Sequence, residues 1–231
     1  MIFRQLFEPE TSTYTYLLGD EETREAVLVD PVASMVDRDL EVLAEHGLTL
    51  QYVLETHVHA DHVAADNELR ERTGCRVGLP EQSGVDCADF RVREGEPIEV
   101  GSVRIEPLFT PGHTDDSHSY VVGDMVLTGD TLLIDGCGRT DFQNGDAEAL
   151  FESVRNKLFA LPEQTLVHPG HDYNHRHVST IGQEKERNPR LGMDKSHDEF
   201  LAIMANLDLP YPKRIDEAVP ANKQCGRKHA A

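Results

Sequence analysis

Tryptophan is absent from the 231 residues, and basic side chains are scarce: 22 Lys and Arg stand against 42 Asp and Glu, a formal charge of −20. That field opposes phosphate backbones and anionic membrane surfaces, so neither nucleic acid nor a membrane is an expected partner. An anionic substrate would need cations built into its site. Long apolar runs are missing as well. No stretch approaches the roughly 18 apolar residues of a membrane span, and the segment Met1 to Glu8 turns acidic where a signal peptide would be apolar. A cytoplasmic protein is the expectation. Cysteine is sparse, and Cys75, Cys87, Cys137 and Cys225 avoid the short spacings of zinc and iron-sulfur sites, which reads as free thiols. Low-complexity segments and solenoid-period repeats are lacking too. The length suits one domain, 1–231, with 178–231 as a helical and irregular C-terminal extension.

What the chain does have is a recurring pattern of apolar strand, tight turn and polar side chain. Tyr14–Leu18 and Ala26–Asp30 read as strands of an opening meander. Val36, Leu40, Leu43 and Ala44 recur at helical spacing up to Gly47, which is placed to end the helix. Leu50–Glu55 is then a strand, followed by Thr56-His57-Val58-His59-Ala60-Asp61-His62. A helix over 66–72, strands at 76–79, 98–100 and 103–109, and the loop Thr110-Pro111-Gly112-His113-Thr114 follow. Strands at 119–122 and 125–127 lead to Asp130. A helix over 147–160 with Asp146 as N-cap precedes strand 165–167 and His168-Pro169-Gly170-His171-Asp172-Tyr173. Ser196 to Glu199 matches a capping box before an apolar helix, and Pro210, Pro212 and Pro220 punctuate the tail to His229.

Three imidazoles and a carboxylate within seven residues have no use in a core, where each buried polar group needs a partner. A metal centre explains them. His57, His59, Asp61, His62, His113, Asp130 and His171 all fall at strand ends or in Gly/Pro turns, where open sheets present ligands. His46, His118, His168, His175, His177, His197 and His229 read instead as solvated or helix-capping histidines. Spacing alone leaves one metal or two, and hydrolysis or another reaction, open.

The His-X-His-X-Asp-His motif, followed in order by the Pro-Gly-His, Gly-Asp and Gly-His segments, resembles the metallo-β-lactamase superfamily over about residues 14–175. The resemblance implies an α+β fold, a four-layer αββα sandwich with the metal at one edge. Gly136-Cys137-Gly138-Arg139-Thr140-Asp141-Phe142-Gln143, His171-Asp172-Tyr173 and the tail from Asn188-Pro189-Arg190-Leu191 to Val219-Pro220-Ala221-Asn222 resemble the persulfide dioxygenases within it. Type II glyoxalases share only part of this and add a longer helical C-terminal domain.

The resemblance implies one Fe(II) per chain held by His57, His113 and Asp130, a facial triad with cis positions open for substrate and dioxygen. It makes His59, Asp61, His62 and His171 surrounding groups that orient ligands or handle protons, or else inherited ligands of a second metal. It assigns Arg139 and Tyr173, and less directly Arg214, to substrate contact. The implied reaction oxidises glutathione persulfide with O2 and water to sulfite and glutathione. The acidic charge leaves no nucleic acid or membrane partner expected, and the sequence leaves the oligomeric state open, a homodimer being one option. The alternative is a glyoxalase II-like hydroxyacylglutathione thioester hydrolase, and a non-catalytic iron sensor is a third reading.

Overall fold

The computed structural model describes residues 1–174 and 176–227, so His175, Lys228 and His229 lie outside it. The chain forms two compact units, one of Met1–Val92, Pro97–Ile105 and the stretch from Tyr211, the other of Arg93–Glu96 and Glu106–Pro210. Among the described residues no helix is long and apolar enough to cross a membrane.

The first unit carries a six-stranded sheet in sequence order: β1 (Ile2–Glu8), β2 (Thr13–Gly19), β3 (Glu25–Val29), β4 (Thr49–Leu54), β5 (Arg76–Pro80) and β6 (Phe90–Val92). The first three strands are antiparallel and β3 to β6 are parallel. Every residue of β2 is buried, as are Ala26 to Val29 of β3. Continuous burial of this kind belongs to strands covered on both faces. Helix α1 (Val36–Glu45) lays Val36, Leu40 and Leu43 against a cluster containing Leu17, Leu28, Leu50 and Val53. Its Gly47 follows in the left-handed conformation, donating to the Ala44 carbonyl. Helix α2 (Asp66–Thr73) ends the same way at Gly74 and buries Leu69 in this cluster.

The second sheet has the order β12–β11–β10–β9–β8–β7, from β7 (Ile98–Val100), β8 (Val103–Phe109), β9 (His118–Val122), β10 (Met125–Gly129), β11 (Leu166–Pro169) and β12 (Ser179–Thr180). Only β10 and β11 are parallel. In the second unit Val126, Leu150, Val154, Leu158, Val167, Ile181 and Phe200 form one apolar cluster. Each buried Leu or Phe there contributes about 1.5–3 kcal/mol. The expected helix over 147–160 divides: α3 (Ala147–Glu152), capped by Asp146 as anticipated, passes into one π-helical segment, Ser153–Leu158. Apolar periodicity does not distinguish the two, because both keep Leu150, Val154 and Leu158 inward.

Helices α4 (Ile181–Arg187), α5 (His197–Ala205) and α6 (Ile215–Asn222) complete the described chain. The Ser196–Glu199 capping box forms. Two expectations are corrected. Pro220 does not break the tail but sits inside α6, where it removes a single N–H near the helix end. Cys87 and Cys225 are joined by a disulfide across 138 residues, a separation that short-range spacing does not detect, while Cys75 and Cys137 are free and buried.

Candidate metal-binding site

In the first unit the parallel strands β3 and β4 end side by side, Val29 opposite Leu54, and their exits carry Asp30 and the His-rich loop. Asp30 is held with φ 52° and its side chain organises the loop. Its Oδ1 accepts from Thr56 N at 2.7 Å and its Oδ2 from Thr56 Oγ1 at 2.9 Å. With its proton so committed, Thr56 Oγ1 accepts from His57 Nδ1 at 2.9 Å. This fixes the tautomer of His57: Nδ1 carries the hydrogen and Nε2 the lone pair that can face an ion.

The same logic runs along the loop. His59 Nε2 lies 3.1 Å from Asp30 Oδ1 and 3.0 Å from Glu55 Oε2, so Nε2 donates and Nδ1 carries the lone pair. His62 Nδ1 donates to Asp61 Oδ2 at 2.9 Å. One ligand atom each of His59, Asp61 and His62 lies within 4.8 Å of the others, as do those of Asp30, Glu55 and His59. Burial first, then the nearby Asp66 and Asp30, holds the Glu55 carboxyl well above the usual range and favours its protonated form.

In the second unit the candidate ligands come one at a time from strand ends. His113 follows β8 and its Nδ1 donates to the Arg139 carbonyl at 2.7 Å, again giving Nε2 the lone pair. That Nε2 faces Asp130 Oδ2 at 3.6 Å, beyond hydrogen-bond range but suited to two ligands sharing an ion. Asp130 follows β10, and its Oδ1 accepts from His171 Nδ1 at 2.7 Å. Space is closed tightly here. A Cβ at Gly138 would meet Asp130 O at 2.5 Å and His113 Nδ1 at 2.7 Å, and one at Gly170 would meet Asp130 Oδ1 at 2.6 Å. Gly112, at φ 137°, lies against the Leu150 backbone and so aims His113. Neutral imidazoles with fixed tautomers beside a carboxylate suit a borderline divalent metal such as Fe(II) or Zn(II).

Arg139 forks onto both oxygens of Asp141, at 2.6 and 2.7 Å, donates to Pro210 O at 2.8 Å and stacks over Phe142. Tyr173 is 68% exposed and stacks on His171 with 6.1 Å between ring centres. Arg214, in the first unit, pairs with Glu217 on α6.

Two histidines read as solvated are buried. His118 on β9 donates from Nδ1 to Asp116 O at 2.9 Å, and His168 lies within β11, where burial pushes its pKa down to about 4. His118 sits opposite Phe109 across the ladder and His168 opposite Leu127, positions that point each ring inward. Asp30, Glu55, Thr56 and Asn222 were not anticipated around the loop. The strand-end rule applied to β3 as it was to β4 finds Asp30.

Residues 9–171 match the metallo-beta-lactamase superfamily model. The mitochondrial persulfide dioxygenase ETHE1 of Mus musculus is 48% identical over 229 residues, 98% of this chain and 89% of that protein. The crystal structure of ETHE1 from Myxococcus xanthus superposes with a TM-score of 0.96 at 57% identity, over 98% of this chain and 100% of that one. A more distant relative, the hydroxyacylglutathione hydrolase glo2 of Schizosaccharomyces pombe, described as probable, is 35% identical over 81% of this chain and 75% of that protein. The α+β fold implied by the motif order is thereby established. The chain belongs to the metallo-beta-lactamase superfamily.

Proposed function

We propose that this protein is a persulfide dioxygenase that uses one non-haem Fe(II) to oxidise glutathione persulfide. The observation that carries the reading is the near full-length likeness to persulfide dioxygenases at 48% identity. The imidazole and carboxylate donors, with fixed tautomers, support it. Overall, GSSH + O2 + H2O gives GSH + SO3²⁻ + 2H⁺, the terminal sulfur yielding four electrons to dioxygen.

His57, His113 and Asp130 are the proposed iron ligands, on the family's pattern. Fe(II) held there would supply coordination sites for sulfur and dioxygen and an electron source that zinc lacks. The chain's residues do the rest. Thr56 and the Arg139 carbonyl hold the two imidazoles in the lone-pair-outward tautomer. His171 holds a proton at Nδ1 against Asp130 Oδ1, keeping the other carboxylate oxygen turned to His113. His59, Asp61 and His62 orient the loop and handle protons. Glutathione brings two carboxylates into an acidic protein, and Arg139 is the proposed clamp for one, exchanging Asp141 for substrate. Tyr173 offers a phenolic donor from its exposed position, and Arg214 a second cation.

Oxygen uptake with glutathione persulfide, after anaerobic reconstitution with Fe(II), is the test. Stoichiometric O2 consumption and sulfite production are expected. Hydrolysis of lactoylglutathione without O2 uptake, with two metals per chain, would instead make the protein a thioester hydrolase.

A further inference from the structure

Asn222, at the last position of α6, is 5% exposed, yet its carboxamide is fully engaged with a loop 160 residues away in the chain. Oδ1 accepts from Ala64 N at 2.8 Å, and Nδ2 donates to His59 O and His62 O, both at 2.8 Å. These are the backbone groups of the His-rich loop itself. One acceptor and two donors on a planar frame match one N–H and two carbonyls, a pattern among side chains that only an amide provides. Neighbouring residues reinforce the attachment. Cys225 O accepts from Asn67 N at 3.0 Å, and the Cys87–Cys225 disulfide ties the same turn to the loop that leads into β6. A Cβ at Gly226 would lie 2.0 Å from Ala64 O, so the turn packs directly on the loop.

We propose that Asn222 is a positioning residue: its carboxamide sets the backbone curvature of residues 59–64 and thereby the attitude of the His59, Asp61 and His62 side chains toward the metal. The proposal rests on the reading that this loop faces the iron. It differs from a purely structural role in what it predicts. A structural residue changes how easily the protein unfolds; a positioning residue changes how well the folded protein keeps its metal.

The experiment compares Asn222→Asp, nearly isosteric and unable to donate, with Asn222→Ala and with Val219→Ala, which trims α6 where it packs on the core cluster. Three quantities are measured: melting temperature, the rate of Fe(II) loss to a chelator, and amide hydrogen exchange at Ala64 in the metal-free protein. Both Asn222 variants are expected to lose iron about 10–100-fold faster, and Asn222→Ala, which also removes the oxygen that accepts from Ala64 N, is expected to exchange the Ala64 amide at least about tenfold faster. Val219→Ala is expected to lower the melting temperature without either change. If iron loss follows melting temperature equally in all three variants, or if Ala64 exchange is unaltered in Asn222→Ala, the positioning role is wrong. Absence of persulfide-dependent O2 uptake by the wild-type protein would refute the functional reading, while the exchange result would still decide the role of Asn222.

Discussion

The two units present their candidate ligands by different means. In the first, four ligand-type side chains come from one continuous loop, and hydrogen bonds hold it: Asp30 to Thr56, Thr56 to His57, and Asn222 to the backbone of 59–64. In the second, His113, Asp130 and His171 arrive from three strand ends, with hydrogen bonds from His113 to the Arg139 carbonyl and from His171 to Asp130, and exclusion of volume confines them, with glycines at 112, 138 and 170 that admit no Cβ. A contiguous loop lacks a framework of its own and borrows one from polar partners. Candidate ligands at separate strand ends already have the sheet as framework and need only a hydrogen bond from each imidazole and close packing.

The largest effect expected from breaking the second arrangement is Asp130→Ala. It removes a proposed ligand and the anchor of His171 together, and kcat/KM should fall by at least about a thousandfold, with loss of bound iron. Metal counting on the purified variant, beside the oxygen electrode, checks both parts. Retained iron and activity within tenfold of wild type would remove Asp130 from the site.

Next in size is an acid-side loss of stability from the second unit. His168 has a folded pKa of about 4 against an ordinary value of 6.5. The unfolded chain therefore binds the proton more readily, and stability is full above pH 6.5 and falls as the pH drops toward 4, by up to about 3 kcal/mol. Denaturant titrations between pH 7 and pH 4 should show this slope in the wild type and a shallower one in His168→Asn. Equal slopes would mean that His168 is not buried as a neutral ring.

How much of this was legible in the sequence follows the same division. The apolar-rich segments of β2, β3 and β4 and the His-rich loop at the end of β4 are local signals, and so were readable. The caps at Asp146, Gly74 and Ser196 were readable for the same reason. Strand β1 mixes Arg4 and Gln5 among apolar residues and pairs only because β2 lies beside it. The Cys87–Cys225 bond and the Asn222 contacts join segments well over a hundred residues apart. His168 and His118 look like surface residues until neighbouring strands bury them. Local periodicity carries elements and motif; it does not carry which distant atoms hold the motif in place.

Arg139→Ala should act on substrate rather than on metal. Its guanidinium holds Asp141 and Pro210 O at the rim of the second unit, so removal should raise KM for glutathione persulfide about tenfold and leave kcat and iron content near wild type. An unchanged KM would take Arg139 out of substrate binding.

The smallest effects separate crowding from backbone freedom. Gly170 is surrounded: an added Cβ would approach Asp130 Oδ1 to 2.6 Å and Gly129 C to 3.0 Å. Gly47 is in open space, with nothing within 4 Å of an added Cβ, but holds φ at 61°. Gly170→Ala should therefore push Asp130 and cut activity several-fold, about 1 kcal/mol in transition-state terms. Gly47→Ala should cost about 1 kcal/mol of stability through the left-handed backbone alone and leave turnover untouched. If Gly170→Ala costs only stability, volume exclusion is not what holds Asp130, and its carboxylate would be fixed instead by the hydrogen bond from His171.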